Sequence, residues 1–229
     1  MIDTIICGDC LEVLEEMPDN YVDAIITDPP YSSGARRDAN ANLRQARRRG
    51  EDKRAFSNDT LTSKTFAWFM RACGLQWARV LKPDGHLLIF IDWYHGYNIA
   101  NALETAGLKQ VNLVVWDKQY FGMGHYFRNQ HELILHFLNY ERPKPFAQNV
   151  GNVISIKPIR NGIHPTEKPV ELIERMLPVV TNEYDTVLDP FAGSGTIAVA
   201  CRRSNRHYIC IEKEPEYCAI AEKRIAEML

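Results

Sequence analysis

Short apolar runs alternate with segments of helical period along almost the whole chain, and that alternation limits the possible folds more than any other feature. The runs TIIC (4–7), DAIIT (23–27), HLLIFI (86–91), VNLVVW (111–116), ELILHFL (132–138), TVLD (186–189) and HYICIE (207–212) predict seven strands. Between them, Phe66, Phe69, Met70, Cys73, Trp77, Val80 and Leu81 fall on one helical face, which KPDG (82–85) ends. Ile99, Ala102, Leu103 and Ala106 form a second such face, and Tyr217, Ile220, Ala221, Ile225 and Met228 a third. Strands separated by helices build βαβ units, whose crossovers require a mostly parallel sheet covered on both faces. Only the pair 111–116 and 132–138 has no helical pattern between its members, which predicts an antiparallel hairpin with its loop over 117–131. The expected architecture is one α/β domain over 1–229 with a seven-stranded, mostly parallel sheet.

Nothing in the composition points away from an ordinary soluble domain: 45% of the residues are hydrophobic and 24% charged. The longest apolar run, LLIFI at 87–91, is too short to span a membrane, and MIDTIICGDC has no basic region leading into an apolar stretch. The six cysteines sit mostly inside apolar segments, which suits reduced, cytosolic thiols better than a disulfide framework. CGDC matches C-x-x-C, but one such pair without a second is poor support for zinc or redox chemistry.

Charge is concentrated. Arg36, Arg37, Arg44, Arg47, Arg48, Arg49, Lys53 and Arg54 stand against Asp38, Glu51 and Asp52, within a loop-rich region at 32–60. This segment carries +5 and leaves −7 on the rest of a chain whose net charge is −2. An acidic body with one basic segment suits a polyanion docked at one place; a solvated linker has the same signature. A second loop-rich region covers 140–165.

Three motifs carry chemistry. DPPY (28–31) ends a strand with two prolines, which explains an abrupt stop but not the neighbouring Asp28 and Tyr31. DPFAGSGT (189–196) joins a strand ending at Asp189 to a helix opening near Thr196, with Phe191, Gly193, Ser194 and Gly195 between. Glycines there let a ligand approach backbone at the carboxyl edge of a parallel sheet, although a tight turn alone also accounts for GSG. The next strand ends in Glu212, where an acid is placed to bind both hydroxyls of a ribose. The spacing is not G-x-G-x-x-G and there is no P-loop lysine, so the motif points to a nucleoside cofactor without a pyrophosphate. In HPTEKP (164–169), Thr166 reads as an N-cap with Pro169 in the first helical turn, which leaves His164 and Lys168 unexplained.

Together, DPPY, HPTEKP and DPFAGSGT resemble the S-adenosylmethionine-dependent DNA amino-methyltransferases, in the β-class order with the catalytic motif first. The resemblance runs from GDCLEVL (8–14) to the last helix. It implies a circularly permuted, Rossmann-like methyltransferase fold, with the strands ending at Asp28 and Asp189 side by side and TIIC beside HYICIE. It further implies that Asp9, with the Cys10 amide nearby, holds the adenine of S-adenosylmethionine. Asp9 and Glu12 also fit a capping box before a helix, and both roles stay open. By the same resemblance, Asp28, His164, Thr166, Lys168, Asp189, Phe191, Gly193, Ser194, Gly195, Thr196 and Glu212 surround the cofactor, with the helix after HPTEKP receiving its methionine end.

For catalysis, the resemblance implies that Asp28 and the Pro29 carbonyl accept the two N–H groups of an exocyclic amine. Pro30 keeps the turn stiff and Tyr31 stacks on a base flipped out of double-stranded DNA. Asp at the first motif position goes mostly with adenine N6 and Ser with cytosine N4; an RNA base methyltransferase is a further alternative. The arginine loop is then placed to grip the duplex, and Arg128, in the hairpin loop YFGMGHYFRNQHE, to fill the gap or read base edges. Relatives often have a longer recognition region than the short segment available at 140–163, which leaves target choice to the arginine loop, to a partner, or relaxed. A homodimer and a cognate restriction endonuclease are the partners such relatives suggest. No metal is expected.

Overall fold

The computed structural model describes residues 2–30, 63–122, 126–140, 150–159 and 167–228. Tyr31, the arginine loop from Arg36 to Arg54, His164 and Thr166 lie outside the described residues. Among the described residues the elements run in the order β1 (Thr4–Cys7), α1 (Cys10–Glu16), β2 (Val22–Thr27), α2 (Ser63–Val80), β3 (Leu81–Ile91), α3 (Gly96–Glu104), β4 (Lys109–Asp117), β5 (His131–Leu138), β6 (Val153–Ser155), α4 (Val170–Val180), β7 (Thr186–Asp189), α5 (Thr196–Arg203), β8 (His207–Glu212) and α6 (Pro215–Ala226).

The strands form one eight-stranded sheet in the order β1-β8-β7-β2-β3-β5-β4-β6. All pairings are parallel except the two made by β5, which runs against both β3 and β4. The hairpin is thus β4–β5, and every expected strand is present. The eighth strand, β6, has only three residues with one buried, too short a pattern to register as a strand in the sequence. It pairs with β4 through Trp116 opposite Ile154.

Alternation along the strands sorts the core into two layers. Ile25, Leu87, Ile89 and Ile91 face one side, packed against Phe66, Met70, Cys73 and Trp77 of α2, Leu14 of α1 and Leu103 of α3. Ala24, Ile26, Leu88 and Phe90 face the other, against Leu172, Ile173, Met176 and Leu177 of α4 and Ile197 and Val199 of α5. On α2, the spacing of Phe66, Met70, Cys73, Trp77 and Val80 puts all five on one fully buried stripe. A strand buried on both faces reads as a continuous apolar run, which is why DAIIT and HLLIFI show no polar alternation.

Two local readings need correction. The helix α2 does stop before KPDG, at Val80, but Leu81 belongs to β3 rather than to the helical face, and pairing shifts between Val22–Leu81 and Ala24–His86. Lys82 bridges to Asp23 at 2.5 Å, and a Cβ on Gly85 would lie 2.9 Å from the Lys82 carbonyl oxygen, so the irregular turn stays against β2. In α4, Pro169 is the cap itself, with extended backbone, rather than a first-turn residue.

The order of strands also fixes where a ligand can sit. β2 and β7 are neighbours, with Ala24 opposite Val187 and Ile25 opposite Leu188. The chain leaves β7 toward β8 and leaves β2 toward β3, so the sheet changes direction between them and opens a crevice beyond Asp28 and Asp189.

Candidate active site

A cleft of about 550 Å³ occupies that crevice, a size typical of small-molecule sites. One end is lined by Asp9, Cys10, Phe191, Gly193, Glu212 and Tyr217, the other by Asp28, Pro29, Pro30, Phe90, Trp116, Glu132 and Lys168. The two ends come from the two halves of the sheet, and Asp189 lies between them.

The first end is built from backbone turns closed by carboxylates. Asp9 caps α1 by accepting from the Leu11 amide at 3.0 Å, and its second oxygen takes Lys213 Nζ at 3.0 Å. Partial burial pushes its carboxyl upward, but Lys213 and the Leu11 amide outweigh this and hold it below the usual range. Asp9 therefore does what a capping residue does while also lining the cleft. At the end of β8, Glu212 accepts from the Gly193 amide at 2.7 Å and from the Glu214 amide at 2.9 Å. Phe191 packs against Phe69 and, edge-on, against Trp77, which keeps its ring at the cleft wall.

The two glycines of GSG divide the work. Gly193 has φ +51° and nothing within 4 Å of where a Cβ would be, so its surface is open to the cleft. Gly195 has φ +79°, and a Cβ there would stand 2.8 Å from Ala221 Cβ. Gly195 is absent from the cleft lining and serves the packing of the turn onto α6. Ser194 is buried and tied down by Arg224, which donates to its hydroxyl at 2.9 Å and its carbonyl at 2.8 Å. Thr196, the first residue of α5, is buried at the cleft wall.

Asp189 accepts from the Thr27 hydroxyl at 2.9 Å and the Phe191 amide at 3.1 Å. Complete burial, aided by the charges of Asp28 and Glu212, nonetheless pushes its carboxyl up to about 7. At the second end, Asp28 follows directly on β2 and forms an ion pair with Lys168. Lys168 is buried, 3.4 Å from Glu132, and lies over the Phe90 ring at 5.1 Å. Glu132 in turn meets Lys118 at 3.0 Å, and Lys118 rests over Trp116 at 4.8 Å. Burial alone would drive Lys168 toward neutrality; Asp28 and Glu132 overcome it and raise its ammonium above the ordinary value.

The family model for DNA methylases of the N6/N4 type matches residues 22–155 and 147–223. The chain belongs to the N6/N4 DNA methylase family. The methylase YubD of Escherichia coli K12 is 35% identical over 219 residues, covering 96% of this chain and 88% of YubD. The type II methyltransferase M2.LlaDCHI of Lactococcus lactis subsp. cremoris is 30% identical, covering 95% and 87%. Among solved structures, the M1.HpyAVI–SAM complex superposes with a TM-score of 0.71 at 26% identity, covering 97% of this chain and 98% of that one. The cytosine-N4-specific PvuII DNA methyltransferase reaches 0.77 at 20% identity, covering 96% and 85%, a likeness of fold.

Several residues at this methylase's cleft carry no motif signal. Lys118, Glu132 and Trp116 come from the β4–β5 hairpin, and Glu132 shows in the sequence only as a charge entering an apolar strand. Arg224 joins Ser194 to Glu167, which it meets at 2.8 Å, and so fastens the DPFAGSGT turn to the HPTEKP segment. Arg128 is exposed in the hairpin loop, where it donates to the Gly122 carbonyl at 2.7 Å and covers the Phe121 ring at 4.2 Å. Its neighbours Tyr126 and Phe127 are fully exposed. All six cysteines are free thiols, and among the described residues no group of side chains could hold a metal ion. No described helix is long and apolar enough to cross a membrane.

Proposed function

We propose that this methylase transfers a methyl group from S-adenosylmethionine to the N6 amine of adenine in double-stranded DNA. The observation that carries the reading is the placement of Asp28-Pro29-Pro30 at one end of a cleft whose other end is walled by Glu212, Gly193, Phe191 and Asp9. The latter end fits a nucleoside: an open glycine surface, an aromatic face, and carboxylates at two strand ends. When bound, S-adenosylmethionine supplies an electrophilic methyl group on sulfur.

The remaining chemistry belongs to the chain. An aromatic amine is a poor nucleophile because its lone pair is delocalised into the ring. Asp28 accepts one N–H and the Pro29 carbonyl the other, which draws the nitrogen toward tetrahedral geometry and frees the lone pair. The prolines hold that carbonyl in place, so little orientation entropy is lost at the moment of reaction. Nitrogen gains the methyl as the carbon–sulfur bond breaks, and Asp28 then takes the extra proton from nitrogen. The target amine is reachable only on an extracted base, and Tyr31 supplies a stacking surface beside Asp28. The basic segment holding Arg36, Arg37, Arg44, Arg47, Arg48, Arg49, Lys53 and Arg54 grips the phosphates of the duplex. Likeness to type II methyltransferases supports a modification role on DNA.

Adenine rests on the identity of Asp28. The test is to incubate unmethylated duplex with enzyme and cofactor, digest it, and identify the modified nucleoside by mass spectrometry. N6-methyladenine is expected; N4-methylcytosine, or no modified nucleoside, overturns the assignment.

A further inference from the structure

The cleft contains more charge than base and cofactor recognition account for. Asp28, Lys168, Glu132 and Lys118 form a row of alternating sign, drawn from the end of β2, the entry to α4, the start of β5 and the residue after β4. Its middle members are the most enclosed: the side chains of Lys168 and Glu132 are 8% and 11% exposed. Burying a lysine costs several kcal/mol unless its charge is matched. Here it is matched from both sides, with the Phe90 ring against its ammonium. An arrangement this expensive to bury holds a defined position.

We propose that Lys168 is a positioning residue for the catalytic carboxylate: it holds one oxygen of Asp28, and Glu132, braced by Lys118, holds Lys168. The inference rests on the assignment of Asp28 as the acceptor of the target amine. It also gives Lys168 a partner other than the cofactor's methionine end.

The consequence follows from the chemistry of Asp28. A carboxylate has room for several donors, so an ammonium on one oxygen leaves acceptor capacity for the amine. A fixed ion pair restricts carboxylate rotation, and it favours the ionised form that can accept. After methyl transfer, the proton on Asp28 sits next to a cation, which promotes its release and resets the site for another turnover. Among the described residues, four charged groups face Asp28: Lys168 directly, Glu132 and Lys118 behind it, and Asp189 from β7. Of these four, only Lys168 both touches Asp28 and favours its ionisation. The Asp189 carboxyl works in the opposite direction when ionised.

The test uses the full chain with Lys168→Met, Lys168→Arg and the double variant Lys168→Met/Glu132→Gln, which also removes the carboxylate that faces Lys168. Carboxyl ¹³C resonances are titrated, with the Asp28 signal assigned by its loss in Asp28→Asn. Affinity for S-adenosylmethionine is measured by calorimetry and methyl transfer by single turnover. In Lys168→Met and in the double variant, the Asp28 midpoint should rise by about one pH unit or more. Cofactor Kd should stay within about threefold, while the single-turnover rate at neutral pH falls on the order of 100-fold. Lys168→Arg should return the midpoint close to that of the unaltered protein. An unmoved Asp28 midpoint in both methionine variants overturns the proposal. So does a tenfold weaker cofactor Kd with an unmoved midpoint, which assigns Lys168 to the cofactor. The titration needs no DNA, so a protein that transfers no methyl group to DNA would refute the proposed function while the titration still decides the role of Lys168.

Discussion

At the residue scale, the two glycines of GSG show how adjacent positions with the same letter answer to different forces. Gly195 needs both positive φ and the missing Cβ, because Ala221 stands in the way; Gly193 needs only the first. Gly195→Ala should therefore destabilise the fold by about 2 kcal/mol or more, and Gly193→Ala by about 1 kcal/mol. Urea unfolding of the two variants checks the difference, and equal losses would show that the contact with Ala221 is easily relieved. The motif suggests a close backbone approach for both, and nothing in the sequence reveals that α6 lies behind one of them.

Asp189 makes a prediction of opposite character. Its carboxyl is raised from 3.8 to about 7, first by burial. The folded state thus holds this proton more tightly than the unfolded chain does. The stability it contributes is complete below pH 3.8 and is lost as pH rises through about 7. Asparagine keeps the oxygen that accepts from Thr27 and Phe191 but cannot ionise. Asp189→Asn should be more stable than the unaltered protein at pH 8, by at most about 4 kcal/mol, with the difference shrinking toward pH 4. Urea midpoints at the two pH values measure it, and a pH-independent difference would contradict the assignment of the shift to Asp189.

At the scale of elements, strands are legible because period and length distinguish them: seven apolar runs are seven strands, and the absent helix between β4 and β5 marks the hairpin. The strand β6 and the start of β3 are not. A three-residue strand has no period, and KPDG looks like a stop until Lys82 is seen bridging to Asp23. Connections between elements are equally hidden. Arg224, on α6, reaches both Ser194 and Glu167, whose side chain is only 5% exposed. Arg224→Ala should cost about 3 kcal/mol, because it removes the cation held against a buried carboxylate. Adding Glu167→Gln should recover part of that loss in thermal or urea unfolding, since the buried charge that faced Arg224 is then gone. A double variant no more stable than Arg224→Ala would show that the bond to Ser194, not the charge, matters.

At the scale of the whole molecule, the active site is half legible in the sequence. DPPY and DPFAGSGT are each contiguous, and the family they resemble sets their strands side by side, so the motifs and that resemblance together put Asp28, Gly193 and Glu212 on one cleft. The row from Lys118 through Glu132 to Lys168 has no such signature, because its members are far apart in sequence and meet only once β5 is laid against β3. The contacts of Arg128 are hidden for a related reason: its partners Gly122 and Phe121 show only once the hairpin loop is folded, although its side chain stays exposed. The global charge pattern gives a further expectation. Replacing Arg47, Arg48 and Arg49 with alanine should weaken DNA binding and lower the slope of log K against log salt by up to about 0.9 per lost phosphate contact. Cofactor affinity should not change, and an unaltered slope would remove these arginines from the DNA contact.

The central claim is that Asp28 acts on the target amine and not on the cofactor. It is tested most directly by tritiated methyl transfer to unmethylated duplex DNA, with cofactor affinity measured on the same samples. Asp28→Ala should lose at least about 1,000-fold in transfer, the scale of a lost positioned acid–base group, while binding S-adenosylmethionine within about threefold of the unaltered protein. Transfer that survives the substitution would contradict the account.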